Sequence, residues 1–157
     1  MRWTSASPHT HRKRAEDLIE REQPTLFIGS PMCIPFSNIQ DFNKARRDPR
    51  IVKEEADAAR LHLAWCCRLY RKQVERGADF LHEHPNLATS WREWCVMEIL
   101  ALSGVNRVVS DQCKFGQQTD DGDPVKKPTG FMSDSPETLR VLAVRCMGKR
   151  GACSRKS

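Results

Sequence analysis

Pro24-Thr-Leu-Phe-Ile-Gly-Ser-Pro-Met-Cys-Ile-Pro-Phe-Ser37 is an apolar run that halts at Gly29 and turns into a cysteine-bearing loop. Thr25 to Ile28 have the β-branched and aromatic composition of a buried strand, and Gly29, Pro31 and Pro35 stop the ladder from continuing. This places Cys33 at the C-terminal edge of a strand, where open α/β sheets gather their ligand sites. A lone cysteine is more often a small buried hydrophobe than a nucleophile, so the neighbouring segments have to decide between the two readings.

Downstream of this loop, Asn38 to Arg47 suggest a helical start, and Asp48-Pro49 is a strong one: an N-cap aspartate followed by proline at the first helical position. Val52, Ala56, Ala59, Leu63, Cys66, Tyr70 and Val74 then recur at steps of three and four, predicting a long amphipathic helix that packs on a sheet and ends at Gly77. Cys66 falls on the apolar stripe and reads as core. Asp79 to Pro85 predicts a second strand. Ser90 and Glu93 form a capping-box pattern for a helix from Trp91 to about Leu102, closed by Gly104. Val105 to Ser110 and Gly130 to Ser133 predict two further strands around a polar loop, and Ser135-Pro136 opens a last helix running through Leu139, Leu142, Ala143 and Cys146. Upstream, Met1 to Arg12 read as a disordered lead-in and Arg14 to Glu22 as a short helix before Pro24. Strands alternating with helices of this length imply an α/β fold with at least one parallel βαβ unit.

The 157 residues, 39% of them hydrophobic, suffice for one domain with a core of its own and fall short of two ordinary ones. Boundaries are expected at a lead-in over 1–23, an α/β domain over 24–147 and a basic flexible tail over 148–157. The net charge of +6 is a moderate basic bias, compatible with a polyanionic partner. Seven cysteines, an odd count, on a chain with a polar N-terminus point to a reducing, intracellular setting, cytoplasmic or nuclear. No apolar run approaches the roughly 18 residues of a membrane span.

Three loops together resemble one family. Gly-Ser-Pro-Met-Cys33-x-x-Phe-Ser is similar to the Pro-Cys motif of the cytosine-C5 DNA methyltransferases, usually Gly-x-Pro-Pro-Cys-x-x-Phe-Ser. Phe80-Leu-x-Glu83-x-Pro85, one crossover helix later, resembles their Glu-Asn-Val/Pro motif, with His84 in place of asparagine. Asp111-Gln-Cys-Lys-Phe-Gly116 followed by Lys126-Lys-Pro-Thr-Gly-Phe-Met132 resembles a viral or mobile-element variant, with lysines where mainstream members carry Gln-x-Arg-x-Arg. The resemblance covers about Thr25 to Cys146. It implies a Rossmann-like methyltransferase sheet with flanking helices, Cys33 as nucleophile on a flipped cytosine, Glu83 as its acid partner, and Pro31, Ser37, Lys126 and Lys127 as substrate-binding residues. DNA rather than RNA is the implied partner.

The family's methyl donor, S-adenosylmethionine, sits on a Phe-x-Gly-x-Gly loop, and no Gly-x-Gly occurs in this sequence. Only about two dozen residues precede the first strand, whereas a βαβ unit takes roughly 30 or more. The expectation is therefore the catalytic-loop half of such a fold, a fragment or remnant that does not bind the cofactor alone, with the cofactor half upstream or in trans. The alternative is a non-catalytic nucleic-acid-binding or zinc-binding module of a mobile-element or viral polyprotein. There Cys146 and Cys153 would be joined by Cys113 and Cys95, although their spacing ranks zinc below plain thiols. His82 and His84 share one strand face and find no third ligand nearby in sequence, so they are not expected to form a metal site.

Overall fold

The computed structural model describes residues 8–37, 47–148 and Cys153. The helical start expected over 38–47 lies, apart from Arg47, outside the described residues, as does most of the basic tail.

The longest helix begins where its capping residues demand. The Asp48 carboxylate accepts a hydrogen bond from the Arg50 N–H at 2.9 Å, Pro49 fills the first turn, and the helix runs over Pro49–Glu75 before Gly77 leaves it at φ +73°. It is preceded by a helix at Pro8–Glu22 and a strand at Leu26–Gly29. We call these α1 (Pro8–Glu22), β1 (Leu26–Gly29) and α2 (Pro49–Glu75). The chain continues through β2 (Asp79–Pro85), α3 (Trp94–Leu100), β3 (Asn106–Asp111), β4 (Pro128–Ser133) and α4 (Pro136–Leu142).

The four strands form one mixed sheet in the order β1-β2-β4-β3. The crossover through α2 makes β1 and β2 parallel, with Gly29 opposite His82. β4 is antiparallel to both neighbours, with Gly130 facing His84 on one side and Val109 on the other. Three strands therefore run one way, and the last strand in sequence is reversed and inserted between β2 and β3. The α/β class is as the sequence implied. Because of these directions, the C-terminal ends of β1, β2 and β3 and the start of β4 share one sheet edge.

The core lies between α2 and the sheet, where Leu63, Cys66, Tyr70, Phe80, Val96, Ile99 and Met132 are buried. The apolar stripe of α2 is wider than its periodicity suggested, because Trp65, Cys67, Leu69 and Gln73 are buried as well. α1 covers part of this surplus: the Trp65 indole N–H donates to Glu16 at 2.5 Å, and Ala15 and Ile19 pack against the core. The helix itself begins at Pro8, inside the segment expected to be disordered. Packing overrides a weak local signal.

Two helix expectations are corrected. Thr89–Arg92 forms a 3-10 turn, and α3 begins only at Trp94. The capping box does not form, because the Ser90 hydroxyl is bonded to His84 and the Glu93 carboxylate accepts from Arg60 at 3.1 Å. α4 stops at Leu142, short of Cys146. Its continuation is captured by β3: Ser110 Oγ donates to the Leu142 carbonyl and the Asp111 N–H donates to that of Val144. No helix among the described residues is long and apolar enough to cross a membrane.

Candidate functional site

Each strand end supplies one loop to the shared edge. β1 ends at Gly29, where Tyr70 of α2 lies so close that only glycine fits: an added Cβ would come within 2.8 Å of the ring Cζ. The chain then passes Ser30, buried Pro31 and exposed Met32 into Cys33, which precedes a 3-10 turn over Ile34–Phe36. Cys33 is half-buried, and its carbonyl accepts the Phe36 N–H at 3.0 Å. Phe36 anchors the turn in the core, its ring set edge-on to His84 with centroids 5.8 Å apart.

In β2 the two-residue alternation separates roles. His82 and His84 point into the core, while Glu83 faces the opposite side of the sheet, in register with Phe131. The Ser30 hydroxyl donates to Glu83 Oε2 at 2.5 Å, so the carboxylate is tied to the cysteine loop three residues before Cys33. Both belong to the C-terminal ends of adjacent parallel strands.

The two histidines support this edge from below. Tyr70 Oη pairs with His82 Nδ1 at 2.9 Å and Ser90 Oγ with His84 Nδ1 at 2.6 Å, and the imidazoles stack 5.6 Å apart against Trp91. Burial pushes the His82 pKa down to about 3 and lowers that of His84. Both rings are therefore neutral structural groups at physiological pH. Each engages a hydroxyl through Nδ1, and no metal cluster among the described residues includes them. Trp91 is capped in turn by the Arg107 guanidinium, 3.9 Å from the ring centroid, which also donates to the Asn86 side chain and so holds the loop after β2. This stack requires Gly130, since a Cβ there would lie 2.6 Å from Trp91 Cζ2.

The third loop brings Lys126 and Lys127 to the same edge. Lys126 is committed to structure, donating to the Gly148 carbonyl at 2.6 Å, whereas Lys127 is exposed. Ser37 closes the 3-10 turn through its N–H to the Ile34 carbonyl. Depressions of about 560 Å³, lined by Pro35, Phe36, Val52, Arg60 and Thr89 among others, and about 520 Å³, lined by Met32, Ala59 and His62 among others, flank the cysteine loop.

A second group of thiols lies where β3 ends. Cys113, Cys146 and Cys153 are buried with their sulfurs within 4.8 Å of one another. Burial and the two neighbouring thiols push the Cys113 pKa up to about 12. Cys95 is not part of this group. It lies beside Cys67.

Sequence reasoning placed Cys33, Glu83, Lys126 and Lys127 along one edge of the sheet; Cys33 and the two lysines lie on loops at that edge, while Glu83 lies within β2 and is tied to the cysteine loop through Ser30. It missed Ser30, Tyr70, Ser90, Trp91 and Arg107, which hold the loops in place. Ser30 lies inside the motif that drew attention to Cys33, but its link to Glu83 spans 53 positions and has no local signature. No family model, curated protein or solved structure matches this chain.

Proposed function

We propose that this chain is the catalytic-loop half of a cytosine-C5 methyltransferase-like protein, acting on a cytosine turned out of DNA. The observation that carries the reading is the Ser30–Glu83 hydrogen bond, which ties the cysteine loop to the glutamate across two parallel strand ends. Carbon 6 of cytosine is a poor electrophile. Attack on it becomes feasible when the Cys33 thiolate forms the S–C6 bond while the displaced ring electrons are met by a proton delivered to N3 from Glu83. The product is a ring nucleophilic at carbon 5. A stacked base cannot reach such a loop, so the target must leave the helix, with Lys127 and neighbouring basic residues available to its phosphates.

The finer assignment, part of a Rossmann-like sheet, draws support from the three co-directional strands and from the edge at β1. There β1 has no strand on its outer side among the described residues, so its backbone groups are available to a further strand. A cofactor half, upstream or in trans, would take that position. S-adenosylmethionine is the cofactor this reading implies, and the described residues do not fit it. The loops after β1 and β2 run through Pro31, Pro35 and Pro85, and none is a glycine-rich cradle. The chemistry derived for this chain therefore stops at activation of the ring.

The test uses a DNA duplex carrying 2-pyrimidinone at a mismatch, a ring that accepts a thiolate more readily than cytosine. The expected result is a protein–DNA adduct that maps to Cys33, disappears in Cys33→Ser and forms on the order of a hundredfold more slowly in Glu83→Gln. Isothermal calorimetry with S-adenosylmethionine is expected to show no appreciable binding. DNA binding without any adduct at Cys33 would leave only the binding-module alternative, and absence of DNA binding would remove both.

A further inference from the structure

Among the described residues, the three thiols at the end of β3 form a buried cluster of their own, apart from the main core. Cys113 lies in a 3-10 turn over Gln112–Phe115 that Gly116 closes at φ +88°. Cys146 follows the end of α4, and its sulfur accepts a hydrogen bond from the Gly148 N–H at 3.5 Å. The Cys146 N–H in turn donates to Asp111 Oδ2 at 2.7 Å, and that carboxylate also binds Arg145 at 2.9 Å. Lys126 holds the Gly148 carbonyl. Two of the three thiols therefore sit in turns whose backbones are fixed by glycine, aspartate and lysine contacts, and the third returns to them from seven residues beyond Cys146.

The Sγ atoms of Cys146 and Cys153 are 3.7 Å apart. Zn–S bonds of about 2.3 Å at tetrahedral angles place two sulfurs roughly 3.8 Å from each other, so this pair already has the required spacing. A disulfide needs about 2.05 Å and pairs only two of three sulfurs. The third sulfur, within 4.8 Å of both, needs only a small inward shift.

We propose that Cys113, Cys146 and Cys153 bind a zinc ion, with water in the fourth position. Each thiol gives its proton to solvent on binding, and the three thiolates neutralise the dication and leave one net negative charge beside Lys126 and Arg145. Asp111 supports the site from behind, orienting the Cys146 backbone through Oδ2, while its buried Oδ1 has no partner among the described residues. The ion fastens the segment after α4 to the loop carrying Lys126 and Lys127. It requires nothing of Cys33 or Glu83 and stands apart from the methyltransferase-like reading.

The full chain, purified under reducing conditions without chelator, is expected to carry about one zinc per molecule by elemental analysis. Each of Cys113→Ser, Cys146→Ser and Cys153→Ser loses it, and Cys66→Ser and Cys95→Ser keep it. Asp111→Asn weakens zinc binding about 10- to 100-fold in a chelator competition while the far-ultraviolet spectrum is unchanged. Should the cysteine variants fail to fold, cobalt(II) loaded into the unsubstituted chain reads the site directly. Intense visible bands with sulfur-to-cobalt charge transfer in the near ultraviolet, displaced by zinc, report tetrahedral thiolate ligation. The proposal is overturned if the reduced chain takes up no stoichiometric zinc on reconstitution, if cobalt gives only the weak spectrum of the hydrated ion, or if the metal follows Cys66 or Cys95. It is equally overturned if peptide mapping finds Cys146 and Cys153 joined as a disulfide in protein kept anaerobic from lysis.

Discussion

Gly29→Ala removes no contact and adds a single methyl group, yet the structure predicts a large loss of stability. The new Cβ would meet Tyr70 at 2.8 Å from Cζ and 2.9 Å from Cε1, and would come closer still to the hydroxyl. Tyr70 is fully buried and stacks on Phe80 at 4.8 Å between centroids, so it cannot swing aside without disturbing the core. Overpacking of this kind costs about 1–3 kcal/mol. Displacing the ring also breaks the 2.9 Å hydrogen bond to His82 Nδ1, and His82 Nε2 already has no partner among the described residues. Leaving that buried nitrogen unpaired costs a further ~1–3 kcal/mol. Together the loss is about 2–6 kcal/mol, against a typical domain stability of about 5–15 kcal/mol. Urea unfolding followed by circular dichroism should show the midpoint falling by roughly 1–3 M, taking a denaturant slope near 2 kcal/mol per M. Tyr70→Phe in the same chain removes the atom nearest the new methyl and should recover part of the loss, giving a favourable coupling of about 1 kcal/mol in the double-mutant cycle. Gly77→Ala is the control: nothing lies within 4 Å of its added Cβ, so only the positive φ is penalised, at about 1–2 kcal/mol. A Gly29→Ala midpoint within about 0.3 M of the unsubstituted chain would refute the view that Tyr70 packs directly under the cysteine loop.

Acid should destabilise the fold through the buried histidines. With the folded His82 pKa pushed down to about 3 by burial and the unfolded value at 6.5, the unfolded chain binds more protons below pH 6.5. Stability is thus fully present above that pH and is lost as pH falls toward 3, by up to ~1.4 kcal/mol per unit for each such histidine, His84 adding in the same direction. Urea midpoints measured from about pH 7.5 down to about pH 5 should fall more steeply in the unsubstituted chain than in His82→Gln, and parallel slopes would contradict the assignment. Alkylation by iodoacetamide at neutral pH should reach half-buried Cys33 well before Cys66, which is 4% exposed and whose pKa burial pushes up to about 11. Mass spectrometry of partially labelled protein gives the order, and equal or slower labelling at Cys33 would remove the physical basis for a nucleophile in this loop.

Local chemistry determined much of what could be read from the residues alone. Asp48-Pro49 and Gly77 delimit α2 because capping and chain reversal are decided within a turn. The alternation in Phe80-Leu-His-Glu-His separates a core face from an open face because a strand repeats every two residues, which is why His82 and His84 were legible as a pair on one side, whereas Glu83 drew attention only through the motif it resembles. The order strand, long helix, strand likewise implied the parallel pair.

What the sequence alone could not decide was competition for the same groups by distant partners. Ser90 and Glu93 have the spacing of a helix cap, but His84 and Arg60 take their side chains, so the helix begins later. Leu142 could have continued its helix, but β3 holds its carbonyl and that of Val144. Ser30 reaches Glu83 only because β1 and β2 are neighbours in the sheet. Cys113 meets Cys146 and Cys153, and Cys95 does not, because the end of α4 folds back along β3 while α3 lies against α2. In each case a hydrogen-bonding group or a thiol has several chemically adequate partners, and only the closed chain brings one of them within reach.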